Sequence, residues 1–398
     1  MNRGWQIKNL GEVCQVVGGG TPSKAKPEYY SGNIPWATVR DMRSEVIYET
    51  ECRITNEAVK NSATNIIRNG NVVIATRVGL GKVCLVGQDT AINQDLRGVV
   101  PNDPKVLSVR FLFWWLKSIA DLIVAEGTGA TVQGVKLPFV KSLQVPLPPV
   151  SEQNRIVGIL DEAFDGIATA KANAEKNLQN ARALFESHLQ SVFSRRGPGW
   201  VETLLDDVCR QITDGKHGDC KAEDGSGFYF LSAKDVKGGT LNYEGARQIT
   251  KSDFEETHRR TDLEPGDILI TNSGTIGRMA VAPADKKTTR TTFQKSVAIL
   301  KPMKERIDSK FAFYCLSSGL IRFVNLSAGT AQKNLLLRDL RSYRFALPKS
   351  LEQQRVVANE LESLSEETQR LESIYQQKLA ALDALKKSLL HQAFSGQL

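Results

Sequence analysis

The sequence predicts an α+β protein: two pseudo-repeat domains of mixed strands and short helices, held apart by two long antiparallel coiled-coil helices. Three observations predict it. Residues 151–194, SEQNRIVGILDEAFDGIATAKANAEKNLQNARALFESHLQSVFS, carry apolar residues at helical spacing throughout. A related stretch, LEQQRVVANELESLSEETQRLESIYQQKLAALDALKKSLLHQAFS, occupies 351–395. The segments before each of them repeat one another. The expected division is a first globular domain at 1–150, a central long helix at 151–196, a second globular domain at 197–350 and a second long helix at 351–398.

The repeat is the firmest of these signals. Trp5 with LGEVC at 10–14 returns as Trp200 with LDDVC at 205–209, and Ile54-Thr55 returns as Ile249-Thr250. NGNVVIATRVGLGKV (69–83) is echoed by PGDILITNSGTIGRM (265–279), with a first turn that reads one residue shorter. Further on, an offset of 200 matches Gln94 to Gln294, Gly129 to Gly329, Leu147-Pro148 to Leu347-Pro348, and Glu152-Gln153 to Glu352-Gln353. The halves match at their borders and diverge inside, so they share a scaffold and differ in the surface it carries.

Within each half, VVIATR (72–77) and ILITN (268–272) are short β-branched runs bounded by glycine, hence strands. KSLQVPLP (141–148) and RSYRFALP (341–348) read as final strands ended by proline. Residues 109–126 and 309–325 are spaced as helices. Their aromatics (Phe111, Phe113, Trp114, Trp115; Phe311, Phe313, Tyr314) are assigned to core packing rather than base stacking. Residues 352–394 contain neither Gly nor Pro. Val357, Leu361, Leu364, Thr368, Leu371, Tyr375, Lys378, Leu382, Leu385 and Leu389 alternate steps of four and three, a heptad seam. Along the first helix Ile156, Leu160, Ala163, Ile167, Ala170, Ala174 and Ala181 form a smaller stripe that a Leu-rich partner can approach closely. An intervening domain must turn the chain round, which makes the pair antiparallel. RRGPGW (195–200) ends the first helix.

At 398 residues the chain exceeds one ordinary core. With 41% hydrophobic and 24% charged residues it reads as a globular protein. No apolar run reaches the ~18 residues of a membrane span, and MNRGWQIKNLGEV lacks a signal-peptide core. Six cysteines, never as CxxC, point to a reducing cytoplasm and no zinc site. The net charge is +8, but residues 152–194 hold four basic against six acidic groups, and 352–394 five against seven. The positive excess therefore lies on the globular parts, where a polyanion would dock.

Catalytic machinery is not found. RVGLGK (77–82) does not match a phosphate-binding loop, and Gly18-Gly19-Gly20 reads as a flexible loop. The four histidines form no HxxxH pair, and no nuclease or amino-methyltransferase signature occurs. No cofactor is expected. The halves do offer base-reading chemistry, because Arg and Lys grip guanine edges or phosphates while Asn and Gln pair with adenine. Arg40 and Arg43 follow one strand and Lys234 its counterpart. Arg77 and Lys82 flank the first glycine turn; Asn272 and Arg278 flank the second. Asn93 and Gln94 answer Gln294 and Lys295. Gln133 and Lys136 answer Lys333 and Asn334 after a glycine loop. Each alone is more often a solvated loop residue; their pairing in equivalent places gives them weight.

Pro146-Leu147-Pro148-Pro149-Val150-Ser151-Glu152-Gln153-Asn154-Arg155-Ile156 and Leu347-Pro348-Lys349-Ser350-Leu351-Glu352-Gln353-Gln354-Arg355-Val356 enter the two helices, and LLHQAFSGQL (389–398) mirrors LQSVFS (189–194). With the two strand–turn segments, this layout resembles the specificity subunits of type I restriction–modification systems over the whole chain. The resemblance implies two target-recognition domains, each reading half of a bipartite double-stranded DNA target. It also implies a helix pair that sets the spacing and docks methyltransferase (modification) subunits, two in number, beside restriction/translocase subunits. S-adenosylmethionine and ATP would belong to those partners. Two other classes remain open at this point. A fused methyltransferase or nuclease would bind S-adenosylmethionine or metal by itself, and a protein-binding scaffold would show no salt-dependent DNA affinity.

Overall fold

The computed structural model describes residues 5–128, 134–326 and 334–398. Two long helices, Val150–Arg195 and Leu351–Ser395, run through it. By compactness the chain forms one unit from Met1–Glu175 with Gln376–Leu398, and a second from Lys176–Tyr375. Each unit therefore contains a stretch of both helices.

In each unit the two stretches are antiparallel. In the first, Lys171 Nζ meets Asp383 Oδ1 at 2.7 Å, and Arg155 Nη2 donates to the Leu398 carbonyl at 2.8 Å. In the second, Arg182 pairs with Glu372 at 2.8 Å and His188 Nε2 lies 3.4 Å from Glu360. The expected stripe of the first helix is inward: Ile156, Leu160, Ile167, Ala174 and Ala181 are buried, joined by Phe164 and Leu189. Thr368 is also buried, its hydroxyl donating to the Leu364 carbonyl one turn back. The seam of the second helix departs from strict heptads after Tyr375. Lys378 and Leu385 face outward, and Leu379 and Lys386 take the half-buried places. The steps Leu371–Tyr375–Leu379 are two successive fours. A straight helix has 3.6 residues per turn and drifts away from a 3.5 repeat, so a continuous seam must absorb such a step.

The first unit is built on a five-stranded sheet. Its order is Cys14–Gly18, Leu96–Pro101, Val72–Ala75, Val83–Val86 and Val46–Ile47, antiparallel except for the last pair. A four-stranded sheet (Cys52–Ile54, Ile34–Ala37, Thr90–Ile92, Asn65–Ile67) stands beside it. Phe111, Leu112, Trp114 and Trp115 of helix Val109–Ser118 are buried with Ile156, Leu160 and Phe164 of the first long helix and Leu390 and Ala393 of the second. Each of the Leu, Ile and Phe side chains among them contributes roughly 1.5–3 kcal/mol of burial. The aromatics are thus core residues, as their spacing predicts.

The second unit repeats the plan with four strands: Cys209–Asp214, Val297–Pro302, Ile268–Thr271 and Met279–Val281. Phe311, Cys315 and Leu316 pack against this sheet together with Ala358. A parallel pair, Tyr229–Leu231 with Thr291–Phe293, stands for part of the first unit's second sheet. An eleven-residue helix, Lys251–Thr261, takes the place of the five-residue Asn56–Lys60. Asp267 and Lys301 form an ion pair at 2.8 Å inside this unit, their side chains 5% and 2% exposed.

In both units a short antiparallel ribbon, Gln6–Asn9 with Gln144–Leu147 or Trp200–Leu204 with Arg344–Pro348, delivers the chain to a long helix. A fully buried glutamine locks that junction. Gln153 Nε2 donates to the Val106 and Pro148 carbonyls (2.8 and 3.0 Å), and its Oε1 accepts from the Ser108 N–H (2.9 Å). Gln354 does the same with Arg306, Pro348 and Asp308. The structural partner of Gln153 is therefore Gln354, not Gln353. One extra residue lies between Pro348 and the second glutamine, and the hydrogen bonds decide the register.

Three further expectations change. Residues 109–126 break at Ile119 and 309–325 at Gly319, giving two helices each. Lys141 and Ser142 close a short helix, Leu137–Ser142, before the strand starts at Gln144. The glycines at 18–20 are not a flexible loop. Gly18 ends a strand, and a Cβ on Gly19 would overlap the Ile92 and Asn93 carbonyls while one on Gly20 would overlap Ala63 and Thr64. Gly215 is pressed against the Phe293 and Gln294 carbonyls in the same way. These glycines are where one backbone touches another.

Among the described residues no helix is long and apolar enough to cross a membrane, and no His/Cys/Asp/Glu group could hold a metal ion.

Candidate nucleic-acid interface

The described residues among those singled out from sequence lie on four segments per unit, and backbone hydrogen bonds bring these segments to one edge. The first segment is a capped 3-10 turn. Asp41 Oδ2 accepts from the Thr38 N–H and hydroxyl (2.7 and 3.0 Å); Asp235 Oδ2 accepts from those of Ser232 (2.8 and 3.0 Å). With the aspartates buried as caps, the next side chains, Arg40 and Lys234, are left exposed. Arg43 leans back onto the Arg40 carbonyl (2.9 Å), and both arginines pair with Glu51.

The second segment is the glycine turn. The N–H of Ala75 bonds the carbonyl of Lys82 (3.0 Å), and that of Thr271 the carbonyl of Arg278 (2.8 Å). The two turns are therefore equal in length, and the apparent shortening in the first is an illusion of the letters. Lys82 stands where Arg278 stands. Each reaches the first carbonyl of its capped turn at 3.5 Å, Lys82 to Val39 and Arg278 to Ala233. Gly79, Gly81, Gly274 and Gly277 carry the positive φ these turns require.

The third segment enters through Asn93 N–H to the Ala37 carbonyl (3.0 Å) and Gln294 N–H to the Leu231 carbonyl (2.8 Å). Asn93 thus corresponds to Gln294, and Gln94 to Lys295, a one-residue shift from the sequence match. Asn93 is also not a surface reader. It is buried, its Nδ2 donating to Asp95 Oδ2 (3.0 Å) and its Oδ1 accepting from the Asp95 N–H (3.1 Å). Gln94 is exposed with its Oε1 bonded by Thr21, and Gln294 and Lys295 are exposed.

The fourth segment closes the edge: Val135 N–H bonds Thr76 (2.9 Å) and Leu335 N–H bonds Asn272 (2.8 Å). Lys136 is exposed there, and Asn334 bridges Ser273. Gln133 and Lys333, with Thr131, Ala331 and Gln332, lie outside the described residues. Asn272 is buried, and its Oδ1 has no partner among the described residues.

Two features were missed from sequence. Asp95 binds Asn93 and faces Arg77, with Nη1 3.7 Å from Oδ1; the N-x-D spacing of an Asx turn was the available signal. Beside the first unit's edge opens a cleft of about 1150 Å3, with Arg43, Lys82, Lys117 and Lys386 among its lining. There Glu45 faces Arg110, Lys117 and Lys386 at 3.9, 3.2 and 3.8 Å. Burial holds the Lys386 ammonium below its ordinary pKa.

The fold is thus a duplicated α+β unit carried on paired long helices, with a polar, cation-bearing edge of loops on each copy. Comparison with known proteins gives the family. The family model described as type I restriction modification DNA specificity domain matches residues 2–179 and again 198–380, and the chain belongs to that family. The MjaIX specificity subunit of Methanocaldococcus jannaschii is 29% identical over 186 residues, 46% of this chain and 43% of that protein. The EcoR124I/EcoR124II specificity subunit of Escherichia coli is 35% identical over 170 residues, 41% of each. The chain thus spans about two-fifths of the length of these two relatives. The MjaVIII specificity subunit of M. jannaschii matches 99% of this chain and 93% of its own length at 21% identity. The fold is that of the HsdS subunit from Thermoanaerobacter tengcongensis, with a TM-score of 0.63 at 20% identity over 100% of this chain and 98% of that one. It is also that of a chain from a study of type I R-M complex assembly, with a TM-score of 0.80 at 20% identity over 100% and 99%.

Proposed function

We propose that the chain is the DNA-specificity subunit of a type I restriction–modification enzyme, each unit reading one half of a bipartite duplex target. The observation that carries this reading is the convergence of four loop segments on equivalent edges of two units, with different side chains on each. On the first edge Arg40, Arg43, Arg77, Lys82, Gln94 and Lys136 are the contacting groups; on the second they are Lys234, Arg278, Gln294, Lys295 and Asn334. Asn93 and Asn272 shape the edges from beneath. The division into recognition domains at 1–150 and 197–350 and helices at 151–196 and 351–398 belongs to the same reading. At ~1.5 Å per residue each helix is roughly 65–70 Å long. The pair sets the unread gap between half-sites, and its polar outer faces dock two methyltransferase subunits, with restriction/translocase subunits joining the assembly in the cytoplasm. The chain itself recognises and does no chemistry. S-adenosylmethionine and ATP are held by its partners.

The test is DNA affinity of the assembled complex at two salt concentrations, together with mapping of methylated adenines. Phosphate-contacting proteins weaken steeply as salt rises. Replacing residues 200–345 by the matching region of a relative should change one half-site and leave the other. A change in both half-sites, or salt-independent binding, refutes the two-reader reading.

A further inference from the structure

The two edges have the same backbone, so their differences can be read position by position. Arg77 corresponds to Ser273, Asp95 to Ser296 and Asn93 to Gln294, because each pair occupies the same place in the hydrogen-bond scheme above. In the first unit these three side chains form a relay. Buried Asn93 holds one carboxylate oxygen of Asp95 at 3.0 Å, and the other oxygen lies 3.7 Å from Arg77 Nη1. The Asp95 carbonyl also accepts the Thr76 and Arg77 N–H groups (2.8 and 3.3 Å), so the carboxylate and the arginine spring from one pinned turn. The Asp95 side chain is 19% exposed and the Arg77 side chain 49%. A guanidinium offers five donors in a rigid fork. One side of this fork faces Asp95, and the side chain as a whole is half exposed. Arg40 and Arg43, by contrast, share Glu51 and are 82% and 71% exposed.

A solvated loop arginine needs no such backing. A side chain that must present two parallel donors in a fixed plane gains from a carboxylate beside it, here an ion-pair contact at 3.7 Å that biases the guanidinium's orientation before binding. The base edge that matches such a fork is guanine, with O6 and N7 acceptors. From this geometry we propose that Arg77 reads a guanine in the half-site of the first unit, and that Asp95, held by Asn93, is its positioning residue. This inference rests on the DNA-specificity reading and adds base and residue to it. At the same place the second unit has Ser273 and Ser296, with Ser296 Oγ accepting from the Ala233 N–H (3.2 Å) and lying 3.5 Å from Gln294 Oε1. Neither serine offers a guanidinium fork, so a bidentate guanine contact of this kind is expected in the first half-site only.

The experiment uses the full chain assembled with its methyltransferase subunits and a DNA library randomised across both half-sites. Wild-type complex should select a guanine at one position of one half-site. Arg77→Ser should erase that selection, a loss of roughly 5- to 150-fold in discrimination, the span of one bidentate base contact. The second half-site should be selected as before, which also reports correct folding. Replacing that guanine by 7-deazaguanine, which lacks N7, should weaken wild type and leave Arg77→Ser unaffected. Asp95→Asn should lower guanine discrimination without changing the salt dependence of binding, whereas a purely structural role would weaken all sequences alike. Uniform weakening by Arg77→Ser would make Arg77 a phosphate contact and overturn the proposal; unchanged selection would overturn it too. If wild-type complex selects no sequence at all, it is the DNA-specificity reading that fails.

Discussion

Replacing Lys301 by methionine should destabilise the second unit and leave the first intact. Lys301 and Asp267 are the most deeply buried ion pair described, at 2.8 Å. Lys301 also bonds the carbonyl of Asp262, the residue in left-handed conformation (φ 37°) that ends helix Lys251–Thr261. Asp267 in turn accepts the Glu264 N–H at 2.8 Å. The pair therefore pins the end of that helix to the central sheet. Removing one partner of a buried pair leaves an uncompensated charge and costs roughly 3–5 kcal/mol. For a unit of this size that corresponds to roughly 6–20 °C in melting temperature, at about 2–4 °C per kcal/mol. Burial already pushes the Asp267 carboxyl up, with Lys301 and the Glu264 N–H drawing it back. Without Lys301 the folded state holds this proton more tightly than the unfolded chain does. The deficit is then full above the shifted pKa and shrinks as pH falls through it. Scanning calorimetry from neutral to mildly acidic pH measures both quantities. The double variant Lys301→Met/Asp267→Asn, which keeps an acceptor for Glu264, should recover more than half of the loss. An unchanged melt for Lys301→Met, or a double variant no more stable than the single one, would show that the pair is not what secures this helix.

Gln153→Leu should strand the Ser108 N–H and the Val106 and Pro148 carbonyls. At roughly 1–3 kcal/mol per buried unsatisfied group, the variant should melt measurably lower by circular dichroism, and Gln354→Leu should do the same in the second unit. Gly19→Ala drives a methyl into the Ile92 and Asn93 carbonyls and should destabilise the first unit by about 1–3 kcal/mol, read by urea titration. Deleting seven residues from each long helix should change the gap between half-sites but not the bases methylated; methylome mapping of the variant against the parent reads both.

Much of the scaffold is legible in the letters because its signals are repetitive. The long helices announce themselves through periodicity, and the core aromatics recur in equivalent places. Single-residue registers are not legible in this way. Gln353 and Gln354 are the same letter, and the carbonyls of Arg306 and Pro348 with the N–H of Asp308 choose between them. Likewise the pairing of Asn93 with Gln294 is set by bonds to Ala37 and Leu231 from distant strands. Burial of polar groups is the other blind spot. Asn93 reads as a base-contacting loop residue until the structure buries it against Asp95, and nothing in the letters marks Lys301 as buried until Asp262 and Asp267 are placed around it. At the site, the sequence identifies the loops that meet, and hydrogen bonding decides which side chains are left facing outward.

Gly19 and Gly215 bear on how such a protein can be rebuilt. Each is a pivot stone on which the third loop segment rests, and neither tolerates one additional carbon. A designer transplanting recognition loops between relatives can rewrite what lies beyond Asn93 or Gln294. The graft must nonetheless seat on a glycine, or the whole edge is lifted off its mount. Freedom of sequence at the rim is thus purchased by strictness at two positions that carry no side chain at all.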